Sequence, residues 1–376
     1  IEVKIEGAAS AARSLEEIEA RLEAVEKQMK DTDGATEDAG GGFSRLQASI
    51  TTAGAAMAGF QAAAALASSA ISAIKAPINL ASDFERQFAQ VRTLNTAIGD
   101  DLKQNLLKLA AEVPQTAGDL TSATYQAISA GVAPTDVIDF MKAASQTAVA
   151  AGGTLTEAVE ILTAGVNAFG KQGETAGSIS NKLFATVKRG VTTIPELNAV
   201  FGRASAAASS YGVSVDEILG AIAQLTLQGL PTSEAVTRVN GVLKELSNES
   251  GVAGKKLKEM GVNVGINALQ QKGLVGLLKE VNEATDGQAD AIGRLSNRQE
   301  AVQGFLKLTG DNMLAYSNIV KGITNDTKAA GEATQIMAET TDGANKLFEA
   351  AAEGAIRDLG NEILPAFTDL LRSVTT

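Results

Sequence analysis

The stretch FSRLQASITTAGAAMAGFQAAAALASSAISAIKAPINLA, residues 43–81, has no charged residue between Arg45 and Lys75, and alanine is its commonest residue. Read in alternating steps of three and four residues, it places an apolar side chain at every step. These positions are Phe43, Leu46, Ile50, Ala53, Met57, Phe60, Ala64, Ala67, Ile71, Ile74, Ile78 and Ala81. The spacing predicts a helix with an unbroken heptad seam. Because its other faces carry mostly Ala, Ser, Thr and Gly, we expect this helix to be buried or enclosed.

A second heptad seam lies between residues 11 and 30, where Glu, Lys and Arg surround the apolar positions as in a solvated coiled coil. The Gly-rich residues 30–42 separate the two seams. Met29 and Phe43 are nevertheless two heptads apart, so one axis can run through both seams. We predict that this axis is that of a homo-oligomer of helices. The predicted axis residues are Leu15, Ile18, Leu22, Val25, Met29, Phe43, Leu46, Ile50, Met57, Phe60, Ile71, Ile74 and Ile78.

From Ser82 to about Thr309 the sequence predicts roughly ten helices separated by short turns that contain Gly and Pro. Pro77 should kink or end the long helix that precedes them. Helix starts are indicated by capping-box pairs, in which a Ser or Thr is followed three residues later by a Glu. The pairs are Ser82–Glu85, Thr154–Glu157, Thr193–Glu196 and Ser214–Glu217. Within this part of the chain, Met260–Ala268 alone looks extended, as a short turn or strand.

These patterns predict an all-α protein in which N-terminal heptad, coiled-coil helices precede an Ala/Gly-rich multi-helix domain. Residues 1–42 should form a short strand, a coiled-coil helix and a Gly-rich linker, and residues 43–81 should form the charge-poor long helix. Residues 82–309 should form the helical core domain. Residues 310–376 should add further helices, which we expect to continue into a longer parent chain.

The composition argues against catalysis and nucleic-acid binding. Among 376 residues there is no His and no Cys, and the formal net charge is −12. The chain therefore lacks the commonest general base and metal ligand, and it lacks the clustered Lys and Arg that bind nucleic acid. We predict no catalytic, cofactor-binding or metal-binding residues and no sequence-specific nucleic-acid partner.

Three pairs of adjacent carboxylates are the strongest candidates for chemistry. They are Glu16–Glu17, Asp100–Asp101 and Asp216–Glu217. Neighbouring residues of a helix point about 100° apart, so such a pair does not form an acid–base couple. The last two pairs fall at predicted helix starts, where a carboxylate interacts favourably with the helix dipole. The basic cluster at residues 255–258 indicates a solvated face.

The segment Leu46–Ile74 leaves a second function open. Its length of about 29 residues exceeds the ~20 residues that a membrane-spanning helix needs. Its Ala, Ser, Thr, Gly and Gln content makes it only weakly hydrophobic. The alternative hypothesis is therefore a membrane-inserting pore or translocator protein that uses this segment.

The sequence from about Phe84 to Gly310 resembles the helical core of phage tail tape measure proteins. The resemblance lies in the order and texture of Ala/Gly-rich helical units over more than half of the chain. The fragments that carry it are DFERQFAQVRTL, AISAGV, AASQTAVAAGGTLTEAVEILTAGVNAFG, ATVKRGVTTIPELNAVFGRASAAASSYG, GVSVDEILGAIAQLTLQG and LSNRQEAVQGFLKLTG.

The resemblance implies a structural virion protein and no enzyme. Proteins of this family lie extended in the lumen of the tail tube as parallel copies, most often three, with a hexamer as the alternative here. Their length sets the length of the tube during assembly in the host cytoplasm, and they leave the tube ahead of the DNA. The implied partners are the tail tube, the baseplate or tail tip, the tail terminator and, during ejection, the host membrane.

Overall fold

The computed structural model describes residues 63–347, 349–354 and 356–357, with the side chains of those from residue 79 onward. Every regular element in these ranges is a helix, which confirms the all-α class. Helices α1 to α15 span, in order, Ala63–Leu94, Asp100–Ala110, Ala117–Ser129, Val137–Ala151, Leu155–Phe169, Ala176–Arg189, Ile194–Tyr211, Val215–Leu227, Thr232–Ser247, Val252–Glu259, Ile266–Ala284, Ala289–Gly293, Gln299–Leu308, Met313–Asn325 and Ala329–Ala338. Residues 341–347, 349–354 and 356–357 are helical as well. The coiled coil predicted for residues 11–30 lies outside the described residues.

Three of the four predicted capping boxes begin helices. Thr154, Thr193 and Ser214 are the N-cap residues of α5, α7 and α8. In each, the side-chain hydroxyl accepts a hydrogen bond from the backbone of the Glu three residues later, whose carboxylate accepts one in return. Thr175 begins α6 in the same way with Ser178 in place of Glu, a variant that the Ser/Thr–Glu pattern does not include.

Neither of the two signals predicted at the end of the long helix ends or begins a helix. The helix α1 runs from Ala63 to Leu94, so Pro77 does not end it and the Ser82–Glu85 pair does not begin a new helix. A proline removes one backbone hydrogen bond and adds a local clash. Beyond it, however, Phe84 and Phe88 are buried one helical turn apart, with ring centroids 6.4 Å from each other. Packing of this face holds the helix together on the far side of the proline.

The segment Met260–Ala268 contains a turn and not a strand. Residues 262–264 have no regular structure, and α11 already begins at Ile266. Gly265, at a φ of 120°, turns the chain into this helix, a conformation that only glycine adopts readily. Its N–H donates to the carbonyl of Leu246 at 2.7 Å, so the turn is fixed to the end of α9 and not to a neighbouring strand.

The chain divides into two compact units. The described parts of Ile1–Ser122 and Lys346–Thr376 form unit 1, and Ala123–Asn345 forms unit 2. The domain bounds predicted at residues 42, 81 and 309 divide the chain differently and stay a prediction.

Helix α8 lies at the centre of unit 2. Every residue from Ile218 to Thr226 is buried, as expected for a helix that is covered on all sides. The helix packs against α6, α9, α13 and α14. At Gly220 a Cβ atom would collide with the side chain of Val320, so the missing side chain lets α14 approach closely. Small residues thus allow dense helix packing in a chain with few aromatic rings.

Unit 1 is built around the C-terminal half of α1. Helix α2 buries Leu102, Leu106 and Leu109 along one face. From the same helix, the Nζ of Lys103 lies 5.7 Å from the centroid of the Phe84 ring. This cation–π contact adds to the apolar packing of the unit.

Candidate functional site

The predicted axis residues all lack a described side chain. Leu15, Ile18, Leu22, Val25, Met29, Phe43, Leu46, Ile50, Met57 and Phe60 lie outside the described residues. Ile71, Ile74 and Ile78 lie on α1, of which the backbone alone is described there. Their backbone is helical as predicted, and the oligomer axis itself stays a prediction.

The candidate site within unit 2 is a cluster of charged side chains around Lys182. This lysine on α6 is 14 % exposed and lies between two carboxylates. Its Nζ is 2.9 Å from Oδ2 of Asp216 in the first turn of α8, and it also donates to Oε1 of Glu174 just before α6. The sequence predicted Asp216 at a helix start, but its partner is 34 residues away, beyond the reach of a local pattern.

The environment of Lys182 keeps its amine protonated. Burial alone would lower its pKa, but the hydrogen bonds with Glu174 and Asp216 outweigh burial and raise the pKa above its ordinary value. An amine acts as a nucleophile or general base only after losing its proton. Lys182 therefore serves as a fixed cation. Oδ1 of Asp216 is buried without a hydrogen-bond partner among the described residues, so the charge of Asp216 is compensated mainly by Lys182.

Glu217, the neighbour of Asp216, joins three helices. Its carboxylate closes the capping box with Ser214 and also accepts the N–H of Val275 on α11 at 2.9 Å. Its backbone carbonyl accepts the hydroxyl of Tyr316 on α14 at 3.1 Å. Helix α11 bends at Gly273, whose φ is 70°, and a Cβ atom there would collide with the Glu217 carboxylate. The sequence predicted the cap but neither of the long-range bonds.

A second group of ion pairs joins the end of α6 to the helices that follow α13. Arg189 is 3.0 Å from Asp326, the residue after α14. Lys188 is 2.8 Å from Glu332 on α15 and 3.6 Å from Asp326. The hydrogen bond to Glu332 contributes most to raising the pKa of Lys188. Both cations lie in the last turn of α6, where they also interact favourably with its dipole.

The other predicted candidates have the structural roles expected of them. Asp100 and Asp101 lie in the first turn of α2, as predicted, whereas Glu16–Glu17 lies outside the described residues. In the basic cluster, Lys255 and Lys258 are exposed, and Lys256 donates to the carbonyl of Arg294.

Two kinds of site are absent from the part of the chain that the structure describes. No group of three or more Asp and Glu side chains there is placed to hold a metal ion. Likewise, no described helix combines the length and the apolar character that a membrane crossing requires. Residues 46–62 of the alternative membrane segment lie outside the described residues, so the membrane hypothesis stays a prediction.

The ionisation of Tyr316 at high pH tests whether this side chain is buried between α8 and α14 as described. Burial raises its pKa well above 10, and the carboxylate of Glu217 adds to the rise. The unfolded chain would ionise this tyrosine above about pH 10, so the stability contributed by its protonated form is present below that pH and falls as pH rises further. In a Tyr125→Phe, Tyr211→Phe variant, Tyr316 is the sole tyrosine. We expect no tyrosinate absorbance until the chain unfolds; ionisation near pH 10 with the helical signal intact would show that Tyr316 is not buried as described.

These arrangements hold helices together. Lys182, Lys188 and Arg189 each pair with a carboxylate, and the two lysines, whose pKa values are raised, are held in their protonated form. Unit 2 is therefore a scaffold in which α6, α8, α11, α14 and α15 are joined by polar contacts around an apolar centre.

Comparison with known proteins finds one protein family and two curated relatives that are similar to this chain. The model of the family described as phage-related minor tail protein matches residues 103–301, slightly more than half of the chain. The tape measure protein of Pneumococcus phage Dp-1 is 20% identical over 311 residues, which are 80% of this chain and 27% of that protein. The probable tape measure protein of Clostridium phage phiCD119 is 23% identical over 310 residues, 78% of this chain and 32% of that protein. The chain thus spans about a third or less of the length of these curated relatives. No solved structure matches.

Proposed function

The chain belongs to the phage-related minor tail protein family, and on that premise we propose that it is a tape measure, a structural protein whose length sets that of a phage tail tube. The observation that carries the proposal is the similarity to two proteins named as tape measures over about four fifths of the chain. The all-helical described fold supports it, because a helix has a constant rise per residue. The family and both relatives are named for structural roles, and the absence of catalysis is part of the proposal.

The measuring element in this proposal is the charge-poor heptad stretch of residues 43–81 together with the helix that continues it. Parallel copies, three in the simplest assembly, lie in the tube lumen with their seams on a common axis. Tube subunits add around them until the tape ends, and the tape leaves ahead of the DNA. The proposed contacts are with the tube, the baseplate or tip, the terminator and, on ejection, the host membrane. The nearly neutral surface of residues 46–74 suits a helix enclosed in this way.

Interrupting the coding sequence in the phage or prophage that encodes this chain tests the function. We expect filled heads and no tails of defined length, because the protein that sets the length of the tail tube is then missing. The same chain supplied from a plasmid should restore tails of the original length. Tails of normal length without the chain, seen by electron microscopy, would refute the proposal.

The mass of the purified chain in solution tests the oligomer axis. We expect about three times 38.5 kDa. A Met57→Glu, Phe60→Glu variant places two charges on the seam and should be monomeric, because each charge would be buried next to its copies. An Ala55→Glu, Ala62→Glu variant adds the same charges on the opposite face of the heptad and should keep the mass of the original. If the seam variant keeps that mass too, these residues are not on the axis.

A further inference from the structure

The order of the two units along the chain has a geometric consequence. Unit 2 is a continuous segment, Ala123–Asn345, whereas unit 1 is made of residues that come before it and after it. Helix α3 begins in unit 1 and carries the chain toward unit 2, and the helical residues 346–347, 349–354 and 356–357 belong to unit 1 again. The chain therefore leaves unit 1 and returns to it, with about 220 residues in between.

The returning helix is held in unit 1 by its last described turns. Arg357 is 6% exposed, and its guanidinium lies 5.5 Å from the ring centroid of Phe84 on α1. A cation at this distance from an aromatic face is attracted to it, more strongly when it is shielded from water. Ala350, about two helical turns before Arg357, is 5% exposed.

A second contact fixes the returning helix to the start of α3. Glu353 lies close enough to Asp119 and Thr116 for both to affect the pKa of its carboxyl, which burial raises most. Thr116 in turn caps α3: the N–H of Asp119 donates to its hydroxyl oxygen at 3.1 Å. We call Phe84, Thr116, Glu353 and Arg357 the clasp. It brings residues 116 and 353 side by side, although they are about 240 residues apart in sequence.

We propose that unit 2 is a length-neutral insertion in the tape: the axial path runs along α1, through unit 1 and out along residues 346–357, and the clasp keeps Ala123–Asn345 out of the measured length. This inference rests on the proposed function. As a continuous helix the insertion would advance about 330 Å. With residues 116 and 353 in contact, its two ends lie within a few helical turns of each other, so nearly all of that length is lost to measurement.

Matched insertions of 28 residues test the inference in assembled phage tails. A tandem duplication of residues 46–73 adds four heptads to the seam and should lengthen the tail by about 42 Å. A Gly/Ser-rich insertion of equal length between Thr135 and Asp136, both exposed in a turn of unit 2, should leave tail length unchanged. The same insertion between Gln288 and Ala289, both exposed, is a second variant should the first site not tolerate it.

The outcomes separate the inference from the function on which it rests. If the seam duplication lengthens the tail and the loop insertions do not, both stand. If the loop insertions also lengthen the tail by about 42 Å or more, unit 2 is extended along the axis. The inference that unit 2 is length-neutral is then refuted, whereas the proposed tape measure function is not. If the seam duplication leaves tail length unchanged, the proposed function itself fails.

Discussion

Replacing Lys182 by Met is expected to lower the free energy of unfolding of the chain by about 3 kcal/mol, the low end of the range for breaking a buried ion pair. The side chains of Lys182, Glu174 and Asp216 are 14%, 17% and 12% exposed, so solvent screens them only weakly. Methionine fills a similar volume but leaves two carboxylates close together without a cation. Denaturant unfolding followed by circular dichroism measures the change.

Lys188→Met is the matched control for this experiment. Both lysines lie on α6 and each bridges two carboxylates, but Lys188 is 42% exposed. Exposed pairs contribute about 0–1 kcal/mol, so this variant should be close to the original chain in stability. Equal losses from the two substitutions would mean that the Lys182 cluster is not a buried one.

The pH dependence of the Lys182 effect follows from its raised pKa. Because the folded pKa is above the unfolded value, the contribution of Lys182 is complete below about pH 10.4 and is lost as pH rises further. The stability difference between the original chain and Lys182→Met should therefore not decline between neutral pH and about pH 10. A decline in that range would place the folded pKa of Lys182 below its ordinary value.

Local sequence signals predicted much of this fold. The capping boxes at Thr154, Thr193 and Ser214 were recognised because both partners lie within one helical turn. The same rule gave a false start at Ser82, because a Ser three residues before a Glu also fits inside a continuous helix. Pro77 failed as a stop signal because packing beyond it outweighs the loss of one backbone hydrogen bond.

The polar contacts of the candidate site were beyond sequence reasoning. Glu217 was predicted as a cap, yet the N–H that it also accepts, that of Val275, comes from 58 residues away. Tyr316 belongs to no local sequence pattern, yet its hydroxyl reaches the carbonyl of Glu217, 99 residues earlier. Such pairs depend on which helices pack together, and neither spacing nor composition contains that information.

Removing residues 46–73 is expected to shorten the phage tail by about 42 Å, since 28 residues of helix advance about 1.5 Å each. The deletion joins Arg45 to Ile74, which occupies the same heptad position as Leu46, so the seam stays in phase. It also leaves intact the buried residues described for α1, the first of which is Ala81. Any change in tail length then reflects the length of the tape and not a loss of fold.

A deletion of residues 46–71, which places Ile74 five residues after Phe43, is the control for register. It removes almost the same length but joins the two parts of the seam out of phase, so apolar and polar positions would meet on the axis. We expect this variant to give few tails or none. If length is set without the heptad seam, the variant should instead give tails nearly as short as those of the in-phase deletion.

The most direct test of the account is the tail length of phage that carry the in-phase deletion of residues 46–73, measured by electron microscopy against the parent phage. We predict a uniform population of tails shorter by about 42 Å. Tails of unchanged length, assembled with the shortened chain inside them, would contradict it.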